Sequence, residues 1–87
     1  MFGYMRKRNP NSKLRKIVIS NVKYYREKVN MSQEELSLKL NRKENFIERL
    51  EANQTKIEPT ILLVDEIAHI FNIPTEYLVL ERKKDEH

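Results

Sequence analysis

The stretch SQEELSLKLNRKENFIERLEAN, residues 32–53, decides the fold because it contains two short helix patterns separated by a turn. Ser32 can cap the free amides at the start of the first helix, and Glu35 three residues later completes a capping box. Asn41 follows that helix, where the chain has to reverse, and asparagine tolerates left-handed backbone angles. The stretch therefore predicts two short helices joined by a turn of roughly three or four residues.

Apolar residues at helical spacing mark the inner faces of these two helices: Leu36, Leu40, Ile47 and Leu50, with Phe46 beside them. The polar residues between them are predicted to point outward. The pattern indicates a helix-turn-helix, in which the second helix of the pair can enter the major groove of DNA.

The residues before this stretch predict a first helix, capped at Asn11 or Ser12. Its apolar residues form one stripe, which we expect to face the core: Leu14, Ile17, Val18, Val22, Tyr25 and Val29.

The residues after the stretch predict two more helices. Pro59 fits the first turn of a fourth helix, since its missing N–H costs nothing there. We expect five residues on the core face of this helix: Leu63, Val64, Ile67, Ala68 and Phe71. Ile61, Leu62 and Ile70 widen its apolar surface, which predicts a central helix or one covered by a partner. A short fifth helix should carry Tyr77, Leu78 and Leu80. With no strand alternation and one glycine in 87 residues, the fold class is all-α.

The net charge of +4 is distributed unevenly along the chain. No acidic residue precedes residue 17, whereas six basic residues do: Arg6, Lys7, Arg8, Lys13, Arg15 and Lys16. The remaining 11 basic residues stand against all 13 acidic ones. Attraction to phosphate should therefore depend on an N-terminal arm, in particular Arg6, Lys7 and Arg8, and on local patches. A merely solvated basic tail is the alternative.

Length and composition predict one domain in three parts: a flexible basic arm at 1–12, the helix-turn-helix domain at 13–81 and a frayed polar tail at 82–87. Absence of cysteine excludes a disulfide framework and thiolate metal sites. No run of residues has the apolar length of a secretory signal or a membrane span, so we expect a cytoplasmic protein without membrane contact.

Residues 32–53, followed by IAHIFNIPTEYL at 67–78, resemble the lambda-repressor-like (Xre or Cro type) family, which includes phage repressors. The resemblance covers about Val18 to Leu80. It rests on an ordered set of matching positions: Ser32, Gln33, Glu35, Leu36, Leu40, Ile47, Glu51, Pro59, Ile67, Ala68, Ile73 and Leu78. This family implies a five-helix bundle with the third helix in the major groove. It also implies an internal ion pair between Arg26 and Glu51.

The resemblance assigns base contacts to Glu44, Asn45, Glu48 and Arg49. Glutamate can accept from cytosine, asparagine can bond adenine twice and arginine can grip guanine. Two of the four, Glu44 and Glu48, are acidic and would be repelled by the DNA phosphates. The alternative is therefore that this face binds no DNA.

Contacts to the DNA backbone are predicted for residues at the start of helix two and in the turns around helix three: Gln33, Lys43, Asn53, Thr55 and Lys56. The amide of Gln33 can donate to a phosphate oxygen, assisted by the partial positive charge of the helix start. The loop at 53–56 carries side chains able to donate to phosphate, although it can equally be a plain surface loop.

The most favoured function is sequence-specific binding of double-stranded DNA by a transcriptional regulator, a repressor-like homodimer paired through Leu78, Val79 and Leu80. The alternative is a protein-interaction module of the same fold, an antirepressor or antitoxin-like partner. An enzyme is not expected, because a glycine-rich phosphate loop and a Cys/His pair are missing and His69 and His87 lie on different elements. No cofactor or metal is predicted.

Overall fold

A computed structural model describes residues 12–54 and 57–82 of the chain, and these residues form helices and no strand. The helices are α1 Lys13–Lys28, α2 Gln33–Lys39, α3 Phe46–Glu51, α4 Ile61–Phe71 and α5 Glu76–Val79. The predicted all-α bundle of five helices is confirmed.

Three of the helices begin with a hydroxyl cap. The side chains of Ser12, Ser32 and Thr60 each accept a hydrogen bond from the backbone N–H three residues later, at 3.3, 2.9 and 3.2 Å respectively. Each bond satisfies one of the amide groups that a helix start leaves without a partner. Ser12 is therefore part of the domain. Pro59 lies before α4 and not in its first turn, because Thr60 takes the cap position.

Asparagine ends each of the first four helices. Asn30, Asn41, Asn53 and Asn72 have φ angles of 63, 60, 61 and 61°. In each case the asparagine N–H donates to a carbonyl three residues back, and the next N–H donates to one five residues back, at 2.9–3.2 Å. This pair of bonds defines the Schellman motif, which usually contains glycine. The single glycine of the chain, Gly3, lies elsewhere in the sequence.

The core lies between α1 and the other helices. α1 packs against α3, α4 and α5, and α2 packs mainly on α3. The buried apolar residues are Val18, Val22, Leu36, Leu40, Ile47, Leu50, Ile57, Leu63, Val64, Ile67, Ala68, Phe71 and Leu78. All predicted core residues of α2 and α4 are among them. The helix-turn-helix formed by α2 and α3 thus rests on α1.

The stripe predicted for α1 is partly wrong. Leu14 and Val29 are 59% and 47% exposed, whereas Arg15, Asn21 and Arg26 are buried on this helix. Their polar groups bond to loops, to Glu51 of α3 and to the C-terminal segment, and those bonds offset the cost of burial. In the described part of the chain, no buried side-chain nitrogen or oxygen lacks a hydrogen-bond partner.

The buried amide of Asn21 holds the segment that follows α5. Its Nδ2 donates to the carbonyls of Leu78 and Leu80 at 3.0 and 2.9 Å, and its Oδ1 accepts from Arg82. The guanidinium of Arg82 also lies over the Tyr24 ring, 4.2 Å from its centroid. Arg82, which the sequence assigned to a frayed tail, is therefore fixed to α1; the rest of that predicted tail, 83–87, lies outside the described residues.

Candidate nucleic-acid interface

A buried hydroxyl joins the two helices of the helix-turn-helix. Ser37 is fully buried, and its Oγ donates to the Gln33 carbonyl at 2.8 Å. The same Oγ accepts from the N–H of Ile47, in the first turn of α3, at 2.9 Å. The start of α3 is thus bonded to the middle of α2. Ser37 was not predicted from the sequence, although a small polar residue between Leu36 and Leu40 was a usable signal.

An ion pair fixes the other end of α3. Arg26 donates from Nε and Nη2 to the two carboxylate oxygens of Glu51 at 2.8 and 3.0 Å. Its Nη1 donates to the Met31 carbonyl at 2.8 Å, in the turn before α2. The side chains are only 9% and 5% exposed, and the hydrogen bond to the Glu51 carboxylate raises the pKa of Arg26. A bidentate pair of this kind restrains orientation as well as distance.

Gln33 belongs to the same network. Its Nε2 donates to Glu51 Oε1 at 2.8 Å, so one amide hydrogen is used inside the protein. A glutamine amide carries two hydrogens, and the second stays available for the predicted phosphate contact. Gln33, Arg26 and Glu51 therefore connect the start of α2, the last turn of α1 and the end of α3.

The four residues predicted to contact bases lie in the turn before α3 and on α3 itself. Glu44, Asn45 and Glu48 are exposed and Arg49 is half-buried. Glu44 and Asn45 lie in the turn before α3, since the helix begins at Phe46, whereas the prediction put them on the helix itself. Asn45 occupies the N-cap position without a side-chain capping bond, which leaves its amide available to a ligand.

The turn between α2 and α3 exposes two basic side chains. Lys43, predicted to contact phosphate, is exposed. The guanidinium of Arg42 lies over the Phe46 ring, 4.6 Å from its centroid, in a cation–π contact that suits a partly buried ring.

The loop after α3 is held by Arg15 from α1. Arg15 Nε donates to Asn53 Oδ1 at 2.6 Å, and its Nη2 donates to the carbonyls of Gln54 and Ile57 at 2.7 and 2.9 Å. Arg15 is 6% exposed, so it does not belong to the free basic charge that the sequence suggested. The half-buried Asn53 directs its amide oxygen to Arg15, whereas the predicted contacts Thr55 and Lys56 lie outside the described residues, as do Arg6, Lys7 and Arg8.

Arg49 is also restrained by this loop. Its Nε donates to Gln54 Oε1 at 3.1 Å. One of the predicted base readers is thus bonded to the residue whose carbonyl Arg15 holds.

A helix-turn-helix family model matches residues 22–78 of the chain, which include α2, α3 and α4 entirely. The chain belongs to this helix-turn-helix family. The predicted lambda-repressor-like resemblance is confirmed, and family membership makes the chain a DNA-binding regulator in general terms.

A solved structure supports the fold of this helix-turn-helix protein. The crystal structure of a hypothetical transcription factor, NHTF, from Neisseria is similar with a TM-score of 0.70 and 18% sequence identity, covering 92% of this chain and 88% of that one. At this identity the similarity shows the shared fold alone. The comparison with curated proteins gave no match.

The surface predicted for pairing of this helix-turn-helix protein needs one correction. Leu78 is fully buried in the core and has no surface to offer a second copy. Val79 is partly buried against the core, and Leu80 is 61% exposed. Two further apolar residues, Ile61 and Leu62, are 82% and 80% exposed at the start of α4.

The described residues of the helix-turn-helix protein form neither a metal-binding cluster nor a membrane-spanning helix. Among residues 12–54 and 57–82, no three histidine, cysteine, aspartate or glutamate side chains are grouped so that they could hold a metal ion. Within the same ranges, no helix has the length and apolar character needed to cross a membrane.

Proposed function

We propose that this protein is a sequence-specific, double-stranded DNA-binding transcriptional regulator of the phage-repressor type, which acts in the cytoplasm by binding and not by catalysis. The observation that carries the proposal is the fixed pose of α3: Ser37 bonds its start, and the Arg26–Glu51 pair bonds its end. A recognition helix held at both ends can present one exposed face to the major groove without losing freedom on binding.

The exposed residues around α3 supply base contacts in this proposal. Asn45 bonds adenine through its free amide, Arg49 bonds guanine, and Glu44 and Glu48 accept from cytosine N4. Burying a glutamate beside phosphates costs free energy unless a cytosine amino group donates a hydrogen bond to its carboxylate. The two glutamates therefore add specificity more than affinity.

Contacts to the DNA backbone come from residues around the ends of α2 and α3: Gln33, Lys43, Asn53, Thr55 and Lys56. The N-terminal residues Arg6, Lys7 and Arg8 add sequence-independent attraction to phosphate. These contacts position the protein on the duplex, and the bases decide which duplex it binds.

A homodimer completes the proposal. One short recognition helix reads only a few base pairs, and a two-fold pair with half-sites about 34 Å apart doubles the site that is read. Exposed apolar residues support pairing, namely Leu80, next to the partly buried Val79 at the end of α5, and Ile61 and Leu62 on α4.

Selection of the full-length chain against a random duplex pool tests the proposal. We expect one sequence to be enriched and its affinity to fall with salt, with a log–log slope of about −0.9 for each phosphate contact. A scrambled duplex of the same length is the control, and it should bind more weakly with a similar slope.

A protein-interaction module is the second candidate, favoured by the acidic character of Glu44 and Glu48 on the exposed face and by the exposed Ile61 and Leu62. If no duplex is enriched at low salt, sequence-specific DNA binding is refuted and this candidate takes its place. The partner would then be another regulator, bound through the acidic face or through the apolar start of α4.

A further inference from the structure

We propose that Gln54 and Arg15 are positioning residues for base readout. Gln54 orients the guanidinium of Arg49, and Arg15 fixes Gln54 in the place where it can do so. This inference rests on the proposed function, in which Arg49 contacts a base.

The bond between Arg49 and Gln54 leaves the arginine suited to a guanine. A guanidinium has five N–H donors in a rigid planar fork, so one bond at Nε restrains the direction in which the two Nη groups point. Gln54 Oε1 takes that Nε bond at 3.1 Å. Among the described residues neither Nη group of Arg49 has a hydrogen bond, and this pair of donors can face guanine O6 and N7.

Gln54 can act in this way because its backbone is bonded on both sides. Its N–H donates to the Arg49 carbonyl at 3.2 Å, in the Schellman turn that ends α3. Its carbonyl accepts from Arg15 Nη2 at 2.7 Å. These two bonds fix the position of the Gln54 backbone, so its side chain starts within reach of the Arg49 guanidinium.

Arg15 is the origin of this restraint. Its guanidinium also binds Asn53 Oδ1 and the Ile57 carbonyl, so it spans the loop on both sides of Gln54. The side chain is 6% exposed and is directed to loop acceptors, and for that reason we assign it no phosphate contact of its own. Arg15 acts on readout only through Gln54.

Base preference is the measurement that separates positioning from simple stabilisation. The base pair read by Arg49 has to be located first. Binding is measured to four duplexes that carry the four possible base pairs at one position, and this is repeated for each position of the site. The position at which Arg49→Ala loses its base preference is the one that Arg49 reads. A bidentate arginine contact discriminates by about 5- to 150-fold. We expect Gln54→Ala and Arg15→Met each to lower that ratio about fivefold or more, and to leave preference at the other positions unchanged.

Coupling to Arg49 is the second readout. In the Arg49→Ala background, Gln54→Ala and Arg15→Met should change no base preference further, because the group that they position is gone. Lys16→Met is the matched control for charge: it removes an exposed cation next to Arg15 in the sequence, and it should weaken all duplexes equally. Asn53→Gly keeps the left-handed turn and removes one acceptor of Arg15, so we expect a smaller loss of preference at the Arg49 base pair, together with weaker binding to all duplexes from the lost backbone contact.

Circular dichroism melting shows which variants are folded at the assay temperature. Gln54 is exposed, so Gln54→Ala decides the question even if Arg15→Met unfolds. An unchanged preference in Gln54→Ala, or an equal loss for all four bases, overturns the inference and leaves the proposed function standing. It is also overturned if Arg49→Ala changes no preference. If the wild-type chain selects no duplex, both the proposed function and this inference fail.

Discussion

At the scale of single residues, asparagine performs in four turns the role that glycine usually has. Each of Asn30, Asn41, Asn53 and Asn72 has φ close to +60°, where most residues with a Cβ are strained. Asparagine tolerates this region because its short polar side chain can bond locally. The change in unfolding free energy when one of these asparagines is replaced should therefore depend on backbone conformation more than on lost contacts.

We expect Asn41→Ala to lower the free energy of unfolding by about 1–2 kcal/mol, the cost of a left-handed angle for an ordinary residue. Asn41→Gly should stay within about 0.5 kcal/mol of the wild type, because glycine has no Cβ to strain. Urea unfolding measures both. The control is Asn45→Ala, exposed and without a capping bond, for which we expect a change below about 0.5 kcal/mol. Equal losses in the three variants would contradict the explanation.

Glu44 gives a second prediction at this scale, since its carboxylate either accepts from a cytosine or repels phosphate. If it reads a base, as we propose, Glu44→Gln shifts the preferred base at one position. If it only repels the polyanion, the same variant binds every duplex more tightly and keeps the wild-type preference. Selection from a random pool, repeated with the variant, distinguishes the two results. Glu34→Gln, on the exposed side of α2, is the matched control for charge.

At the scale of elements, the helices could be predicted from the residue pattern, whereas the polar bonds between them, apart from the Arg26–Glu51 pair, could not. Leu36, Leu40, Ile47 and Leu50 repeat at helical spacing, so sequence alone places them in the core. Arg15 has no such signal. Its partners lie 38 to 42 positions away, and two of them are backbone carbonyls that any sequence would offer. Periodicity therefore favoured Leu14 for burial, whereas the structure buries its neighbour.

The candidate site could likewise be predicted only in part. The resemblance indicated which residues surround the third helix and that Arg26 faces Glu51. It could not show that Gln33 shares the Glu51 carboxylate, or that Gln54 holds Arg49, since both depend on distances between side chains from separate elements. The start of α3 at Phe46 was also missed, because helix ends are set by local capping geometry that a periodic pattern does not resolve.

The Arg26–Glu51 pair gives a prediction about how α1 and α3 are held together. Arg26→Met should cost about 3–5 kcal/mol in unfolding free energy, because it leaves a buried carboxylate without its cation. The double variant Arg26→Met with Glu51→Met should recover much of that loss, since apolar replacements of a buried pair are often neutral. DNA affinity should not recover, because the angle between α1 and α3 is no longer fixed. Recovery of both properties together would show that the pair has no orienting role.

The pH dependence of this pair follows from the direction of the shift. The hydrogen bond to Glu51 raises the pKa of Arg26 in the folded state. A raised pKa of a basic group gives stability that is complete below the unfolded-state value and is lost as pH rises through the folded one. For an arginine that window lies in strongly alkaline solution, so Arg26 should add no pH dependence between about pH 5 and 9. Urea unfolding of the wild type and of the double variant Arg26→Met with Glu51→Met, which leaves no unpaired carboxylate, should give a constant difference across this range.

At the scale of the whole molecule, the exposed apolar residues that we propose for pairing lie at the start of α4 and directly after α5. We expect a dimer in sedimentation at high micromolar concentration, and Leu80→Glu or Val79→Glu should dissociate it, because a buried unpaired carboxylate is costly. Leu38→Glu, which also replaces an exposed leucine, is the control on α2. If only Ile61→Glu or Leu62→Glu gives a monomer, the interface lies on α4 alone. A wild-type monomer that binds one site tightly would contradict dimerisation.

The asparagine turns also have a consequence for the denatured ensemble. A chain with glycine at these four positions would have more conformations available when unfolded. Folding would then have to overcome about 0.4–1 kcal/mol more conformational entropy at each position. Asparagine narrows that ensemble, at the cost of some strain in the native turn. The near neutrality expected for Asn41→Gly is thus a cancellation between relief in the native turn and added freedom in the denatured chain. The two contributions differ in temperature dependence, so they should separate in the enthalpy and entropy of unfolding.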